Sequence, residues 1–222
     1  MLDHRMLRRS PCIPEPLAVP YLQHLRKRSS AAITRRALPD HLLELIVVHA
    51  PLVGITRPML EWWMQHIDQQ VDWGGHHILA YRLWHPRDHI HFQIHPRPDG
   101  TIGSGCRFRI VEAFQANPRH RIDRTFTVTK LDATGFRLEL RICGVVIVTL
   151  DEAWIDVPDG VQWTVTHRIG TNHPLLGPLT RLVRWMRRDL IDAWLTHNVE
   201  EAGCIPEFLP ELYQRSASGS PR

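Results

Sequence analysis

Apolar and polar positions change period twice along this chain, and each change marks a change of element. After Pro58 the segment MLEWWMQHIDQQV carries apolar residues at helical spacing, and Trp73-Gly74-Gly75 breaks it. The pattern then alternates. Residues 76–84, 89–95, 107–114, 122–130, 136–142, 145–156 and 161–169 read as strands, separated by turn signals such as Pro98-Asp99-Gly100, Ala133-Thr134-Gly135 and Pro158-Asp159-Gly160. From about Gly177 to Ala202 apolar residues recur every three or four positions, and Gly203 supplies a C-terminal stop.

About seven antiparallel strands followed by one long C-terminal helix, with a short N-terminal helical segment, make an α+β plan of the helix-grip kind. In that layout a curved sheet wraps the helix, often enclosing a cavity between them. Residues 51–214 are assigned to this domain, residues 1–50 to a basic arm that is partly helical or flexible, and residues 215–222 to a disordered tail.

Composition adds bounds. A chain of 222 residues that is 43% apolar can bury one sizeable core. No apolar run approaches the roughly 18 residues needed to cross a bilayer, and the start MLDHRMLRRSPCIPEP lacks the apolar stretch of a secretory signal. Cys12, Cys106, Cys143 and Cys204 are widely spaced, with no CxxC pair, which fits free thiols in a reducing compartment. A cytoplasmic protein is expected. The net charge of +4 is concentrated in residues 1–40, with eight Lys/Arg against three Asp/Glu, whereas the remainder carries nineteen against twenty. A stretch such as LRKRSSAAITRR could touch phosphate, but a solvated arm is the plainer reading, and neither a nucleic-acid nor a membrane partner is expected. Dimerisation is left open.

Several polar groups fall on faces that should be apolar. In residues 107–114, Phe108, Ile110, Glu112 and Phe114 share one side of a strand, which turns a carboxylate inward. Burying it unpaired costs several kcal/mol, so a cation or hydrogen-bond donors must await it unless the strand edge is wet. In VQWTVTHRI, His167 follows Val161, Trp163 and Val165 on one face; a lone inward histidine is more often a hydrogen-bonded core residue than a catalytic one. Along the last helix an apolar stripe of Leu179, Leu182, Val183, Met186, Leu190 and Trp194 continues into His197 and Glu201. Their i, i+4 spacing sets the two Cβ atoms about 5–6 Å apart, suited to sharing an ion. In HIHFQIH, strict alternation puts His89, His91, Gln93 and His95 on one side, of which one imidazole is expected to enter a cavity. Together these make a two-His, two-carboxylate set, which suits zinc first, with iron or manganese as alternatives.

The segments PMLEWWMQHI, YRLWHPRDH, GSGCRFRIVEAF, LLGPLTRLVRWM and WLTHNVEEAG resemble the diacetylphloroglucinol hydrolase family, which includes phloretin hydrolase, over most of residues 56–205. YxxWHPxDH and HNxxE are the most specific pieces. The resemblance implies a Bet v 1-like helix-grip domain with a zinc ion held by two His and two Glu. It further implies hydrolysis of the carbon–carbon bond between an acyl group and a phenolic ring. Carried over by position, the implied ligands are His89, Glu112, His197 and Glu201, with Tyr81 contacting substrate and His167 as the additional active-site histidine; His85 remains an alternative to His89. The family's characterised members are longer, with a wider spacing between the first histidine and the glutamate and a larger N-terminal part. The substrate is therefore left open among acylphloroglucinol-like and polyketide-like compounds.

A metal-activated water attacking the acyl carbonyl is the implied chemistry, with a proton delivered to the ring carbon from His167 or Tyr81. Catalytic zinc commonly keeps three protein ligands, so four imply either an expanded coordination or a labile glutamate that doubles as base, for which Glu201 is named. A non-catalytic carrier of aromatic or polyketide ligands, or a cyclase-like protein, is the alternative on the same fold.

Overall fold

The structure is a computed structural model and describes residues 11–217. The main sheet is nine-stranded and antiparallel. Its strands run β1 (Ala32–Ala37), β2 (Leu43–Val48), β11 (Gly160–Ile169), β10 (Val145–Val157), β9 (Gly135–Ile142), β8 (Arg121–Asp132), β7 (Arg107–Ala113) and β6 (His89–His95), and the short β3 (Leu52–Val53) also pairs with β11. Helix α1 (Arg57–His66) follows β3, and α3 (Leu176–Met186) and α4 (Arg188–Ala217) close the chain. The six-strand meander from β6 to β11 matches the period-2 segments, because each strand buries one face against the helices and leaves the other to solvent. The helix-grip architecture is therefore present, with three sheet strands, β1, β2 and β3, that the alternation does not predict.

Four details depart from the sequence-based expectations. First, residues 32–48 are not part of an arm: β1 and β2 are sheet strands, and Leu45 and Val47 are fully buried. The basic appearance of AITRRA comes from its place at the sheet edge, where exposed Arg35 and Arg36 discourage edge-to-edge pairing. The segment before β1 also packs on the domain, with Tyr21 donating to the Leu83 carbonyl (2.9 Å) and Leu17 N to that of Pro86 (3.0 Å). Residues 1–10 of the proposed arm and 218–222 of the proposed tail lie outside the described residues; 215–217 complete α4.

Second, residues 76–84 are not one strand. A separate hairpin of β4 (Gln70–Trp73) and β5 (His76–Leu79) turns over Gly74 and Gly75, both at positive φ, and one helical turn, α2 (Tyr81–Trp84), follows. Third, the final helix does not stop at Gly203. It continues through Pro206 and Pro210 because Ile205, Phe208, Leu209 and Leu212 are buried in the core, which outweighs the lost backbone hydrogen bonds. Gly203 serves contact instead: a Cβ there would lie 2.5 Å from Arg26 Cγ.

Fourth, the apolar stripe does not run unbroken into the core. The chain breaks helical geometry at Arg187, and before the break Leu179, Leu182, Val183 and Met186 are half or more exposed. Beyond it Ile191, Leu195 and Val199 are buried. α4 carries the buried part of the stripe, and Leu176, Leu179 and Val183 of α3 line the cavity described below.

Candidate metal centre and cavity

One local irregularity brings His89 of β6 and Glu112 of β7 together. Pairing of β6 with β7 shifts register between His89 and His91, a bulge at Ile90. The extra residue turns Ile90 to a small cluster with Val111 and Ala113, and swings His89 to the side occupied by Phe92. Strict alternation groups His89 with His91 and His95; the bulge separates them. His89 then sits directly opposite Glu112 on β7.

The α2 turn fixes the next contacts. Tyr81 stacks on the His89 ring (centroids 3.7 Å apart, planes within 9°), its carbonyl accepts from His89 Nδ1 (2.8 Å), and its hydroxyl donates to Glu112 Oε1. Since a carbonyl only accepts, Nδ1 of His89 carries the proton and Nε2 presents its lone pair. That Nε2 is fully buried and has no hydrogen-bond partner among the described residues. It points between two carboxylates, 3.5 Å from Glu112 Oε1 and 3.4 Å from Glu201 Oε2.

From α4, His197 and Glu201 enter one turn apart, with His197 Nε2 3.5 Å from Glu201 Oε2. The other nitrogen, Nδ1, donates to Asp88 Oδ2 (3.0 Å). Asp88 is itself held by the backbone N–H groups of Gln115 (2.9 Å) and Ala116 (3.1 Å) and by Arg87. Both imidazoles thus have their Nδ1 protons engaged and their Nε2 atoms turned toward Glu201, that of His89 toward Glu112 as well. That tautomer and orientation suit a divalent cation, and an outer carboxylate behind a histidine is the usual support for such a ligand. Single donor atoms of His89, His197 and Glu201 lie within 4.8 Å of one another.

Electrostatics agree with the donor set. Burial alone would neutralise Glu201, but the adjacent His197 first, and then His89, hold it well below the usual carboxylate range. Burial would likewise discharge His197, yet Glu201, Asp88 and Glu112 raise it well above an ordinary imidazole. Glu112, dominated by burial, is raised. Three carboxylates around two imidazoles leave the cluster short of positive charge, which a proton on His197 partly supplies and a divalent cation would supply more fully.

His85 does not join this set. Its Nδ1 accepts from Asp88 N (3.2 Å), so its Nε2 donates to Glu200 Oε2 (3.1 Å), and burial lowers its pKa to about 4. Its ring stacks on His197 at 4.6 Å, as a wall of the site. His167 is half-buried on the inward face of β11 with its ring edge against Trp194 (4.3 Å); among the described residues no hydrogen bond or ion pair joins it to the four-residue cluster.

An apolar cavity of about 510 Å³ extends from the cluster between sheet and helix. Tyr81, Glu112, His197 and Glu201 form one region of its wall; Phe136, Leu138, Leu150 and Trp194 supply much of the rest. Two polar residues that sequence reasoning passed over belong here. Asp88 hides inside the WHPRDH motif, and Glu152 stands on the inner face of β10; the abnormal signal for Glu152 was a carboxylate in the strand TLDEAWIDV at a position opposite Val165.

No family model matches the chain, and no curated protein matches it. Solved structures do, weakly. Protein NE0264 from Nitrosomonas europaea is 12% identical with a TM-score of 0.47, covering 78% of this chain and 99% of that one. Ara h 8.0201 is 11% identical with a TM-score of 0.38, covering 72% and 97%. The di-domain ARO/CYC StfQ from the steffimycin biosynthetic pathway is 10% identical with a TM-score of 0.40, covering 74% of this chain and 51% of its own. Likenesses at this level decide neither ligand nor chemistry, so what the site does must be argued from its own atoms.

Proposed function

We propose that this protein is a metal-dependent hydrolase that cleaves the carbon–carbon bond between an acyl group and a phenolic ring. The observation that carries the reading is the meeting of His89 Nε2, His197 Nε2 and Glu201 Oε2, with Glu112 beside His89, next to the wall of an apolar cavity. Zinc fits two imidazoles and two carboxylates best, with iron or manganese as alternatives. When bound, such an ion lowers the pKa of water toward neutrality and polarises a carbonyl.

The chain's own groups do the rest. Phe136, Leu138 and Leu150 exclude water and hold an aromatic ring. The Tyr81 hydroxyl, whose pKa burial and then Glu112 push far up, keeps its proton, donated to Glu112, and its oxygen can accept from a substrate hydroxyl. Glu201 also accepts from Asn198 Nδ2 (2.8 Å), which steadies one of its oxygens while the other faces both histidines. A carboxylate so placed can take a proton from water as the carbonyl is attacked. Departure of the ring requires a proton at its carbon, and an electron-rich phenol makes that carbon basic enough to accept one.

Elemental analysis of the purified protein tests the reading first. Stoichiometric zinc, lost on His197→Ala or Glu201→Ala while circular dichroism is retained, is expected, together with chelator-sensitive deacylation of an acylphloroglucinol panel. A second reading, a metal-free carrier of aromatic ligands, draws on the largely apolar cavity lining. Tight phenol binding without metal and without turnover supports that one instead.

A further inference from the structure

Glu152 is 3% exposed, lines the cavity, and its Oε2 has no hydrogen-bond partner among the described residues. His167, on the same wall, is in a similar position: its Nδ1 is buried without a partner. Sheet register explains why they are neighbours. Glu152 of β10 lies opposite Val165 of β11, and Leu150 opposite His167, so the two polar residues are diagonal partners on the inner face, about 7–8 Å apart by backbone. Buried polar atoms are nearly always satisfied, and here both unsatisfied atoms belong to residues on the wall of one apolar space.

We propose that Glu152 and His167 form a recognition pair for the ring oxygens of a neutral hydroxyaryl ketone bound in this cavity. The proposal rests on the cavity accepting acylated phenols and adds which residues read their hydroxyl groups. Burial first, then the charges of Glu201 and Asp151, raise the Glu152 carboxyl well above its usual range, so it keeps a proton. It then offers one O–H donor and one carbonyl acceptor. Burial pulls His167 down to about 4, so its ring is neutral, with one donor and one acceptor nitrogen. A wall of this kind complements hydroxyl and carbonyl groups. It repels carboxylate ligands, which would meet Glu201, and offers no fixed anion of its own to a cation. Recognition by hydrogen bonds also discriminates more sharply than an apolar wall, because a ligand without the oxygens leaves the buried groups unpaired.

Calorimetric titration of the full chain, kept in chelator so that turnover does not interfere, separates this from the hydrolase reading. The probes are 2,4-dihydroxyacetophenone and propylbenzene; the variants are Glu152→Gln, Glu152→Leu and His167→Phe, each checked by circular dichroism. Expected is a loss of about tenfold or more in dihydroxyacetophenone affinity for Glu152→Leu, with propylbenzene unchanged or tighter, and less than about threefold loss for Glu152→Gln, which keeps a donor and an acceptor. His167→Phe should repeat the pattern of Glu152→Leu, and carries the comparison if the leucine variant does not fold. Equal dihydroxyacetophenone binding by wild type, Glu152→Leu and His167→Phe overturns the pair, as does a glutamine variant as weak as the leucine one. Wild-type binding of propylbenzene but not of dihydroxyacetophenone also overturns the pair while leaving the cavity a ligand site; binding of neither probe removes both. Zinc content unaffected by these variants, with the pair failing, leaves the metal reading standing.

Discussion

Replacing Asp88 with asparagine probes the support behind the proposed metal ligand His197. Asp88 is fully buried and uses both oxygens: Oδ2 accepts from His197 Nδ1 (3.0 Å) and Gln115 N (2.9 Å), and Oδ1 from Ala116 N (3.1 Å) and Arg87 Nε (2.7 Å). An amide keeps one acceptor and turns the other into a donor. With its NH2 in place of Oδ2, His197 meets a donor and shifts its proton to Nε2, the atom that faces Glu201. With its NH2 in place of Oδ1, Ala116 N and Arg87 Nε lose their acceptor. Either arrangement leaves a buried group unsatisfied, at a cost of about 1–3 kcal/mol in folding. Loss of an orienting carboxylate typically weakens a metal site by about 10–100-fold, equivalent to about 1.4–2.8 kcal/mol of binding. Urea titration of the metal-free protein reads the first quantity, and competition for zinc against a chromophoric chelator at pH 7 reads the second. A zinc affinity within twofold of wild type, alongside the expected stability loss, would refute the claim that Asp88 aligns His197 for a cation.

Two further outcomes follow from the packing. His167 has a folded pKa near 4 because of burial, below the ordinary imidazole value of about 6.5. Between those values the unfolded chain binds a proton that the folded chain does not, so stability falls as pH drops from 6.5 to 4 and this contribution is complete below that window. From pH 7 to pH 5 wild type should therefore lose about 2 kcal/mol more in urea unfolding than His167→Gln, and equal losses would contradict the burial argument. Gly170, at φ +121°, has no room for a side chain: an added Cβ would lie 2.4 Å from the His41 carbonyl oxygen. Gly170→Ala is expected to destabilise by about 1–3 kcal/mol through strain at the join of β11 to the C-terminal helices, visible as a lowered thermal midpoint; an unchanged midpoint would show that the backbone yields there.

Strand periodicity and the final helix were legible because the side-chain period of an element is a local property: each residue's face depends only on its neighbours along the chain. That is why 107–114 announces an inward Glu112, VQWTVTHRI an inward His167, and α4 a His197–Glu201 pair one turn apart. Alternation fails only where a non-local event resets it. The bulge at Ile90 moves His89 across the sheet, and nothing in HIHFQIH marks it, since the extra residue is defined by the pairing with β7.

Sequence also misjudged residues whose environment is set by distant chain. AITRRA reads as a solvated arm because an edge strand keeps its charges in water, and its partner β2 is recognised as sheet only once β11 lies beside it. The apolar residues of α3 look like a core stripe, yet a break at Arg187 leaves them half or more exposed. Asp88 gains its role only when His197, 109 positions later, arrives at 3.0 Å. Local periodicity thus determined which residues form strands and helices and which faces they offer. Burial, tautomer and charge state depend on what packs against those faces, and only the tertiary structure decides that, because each is fixed by groups far away in the chain.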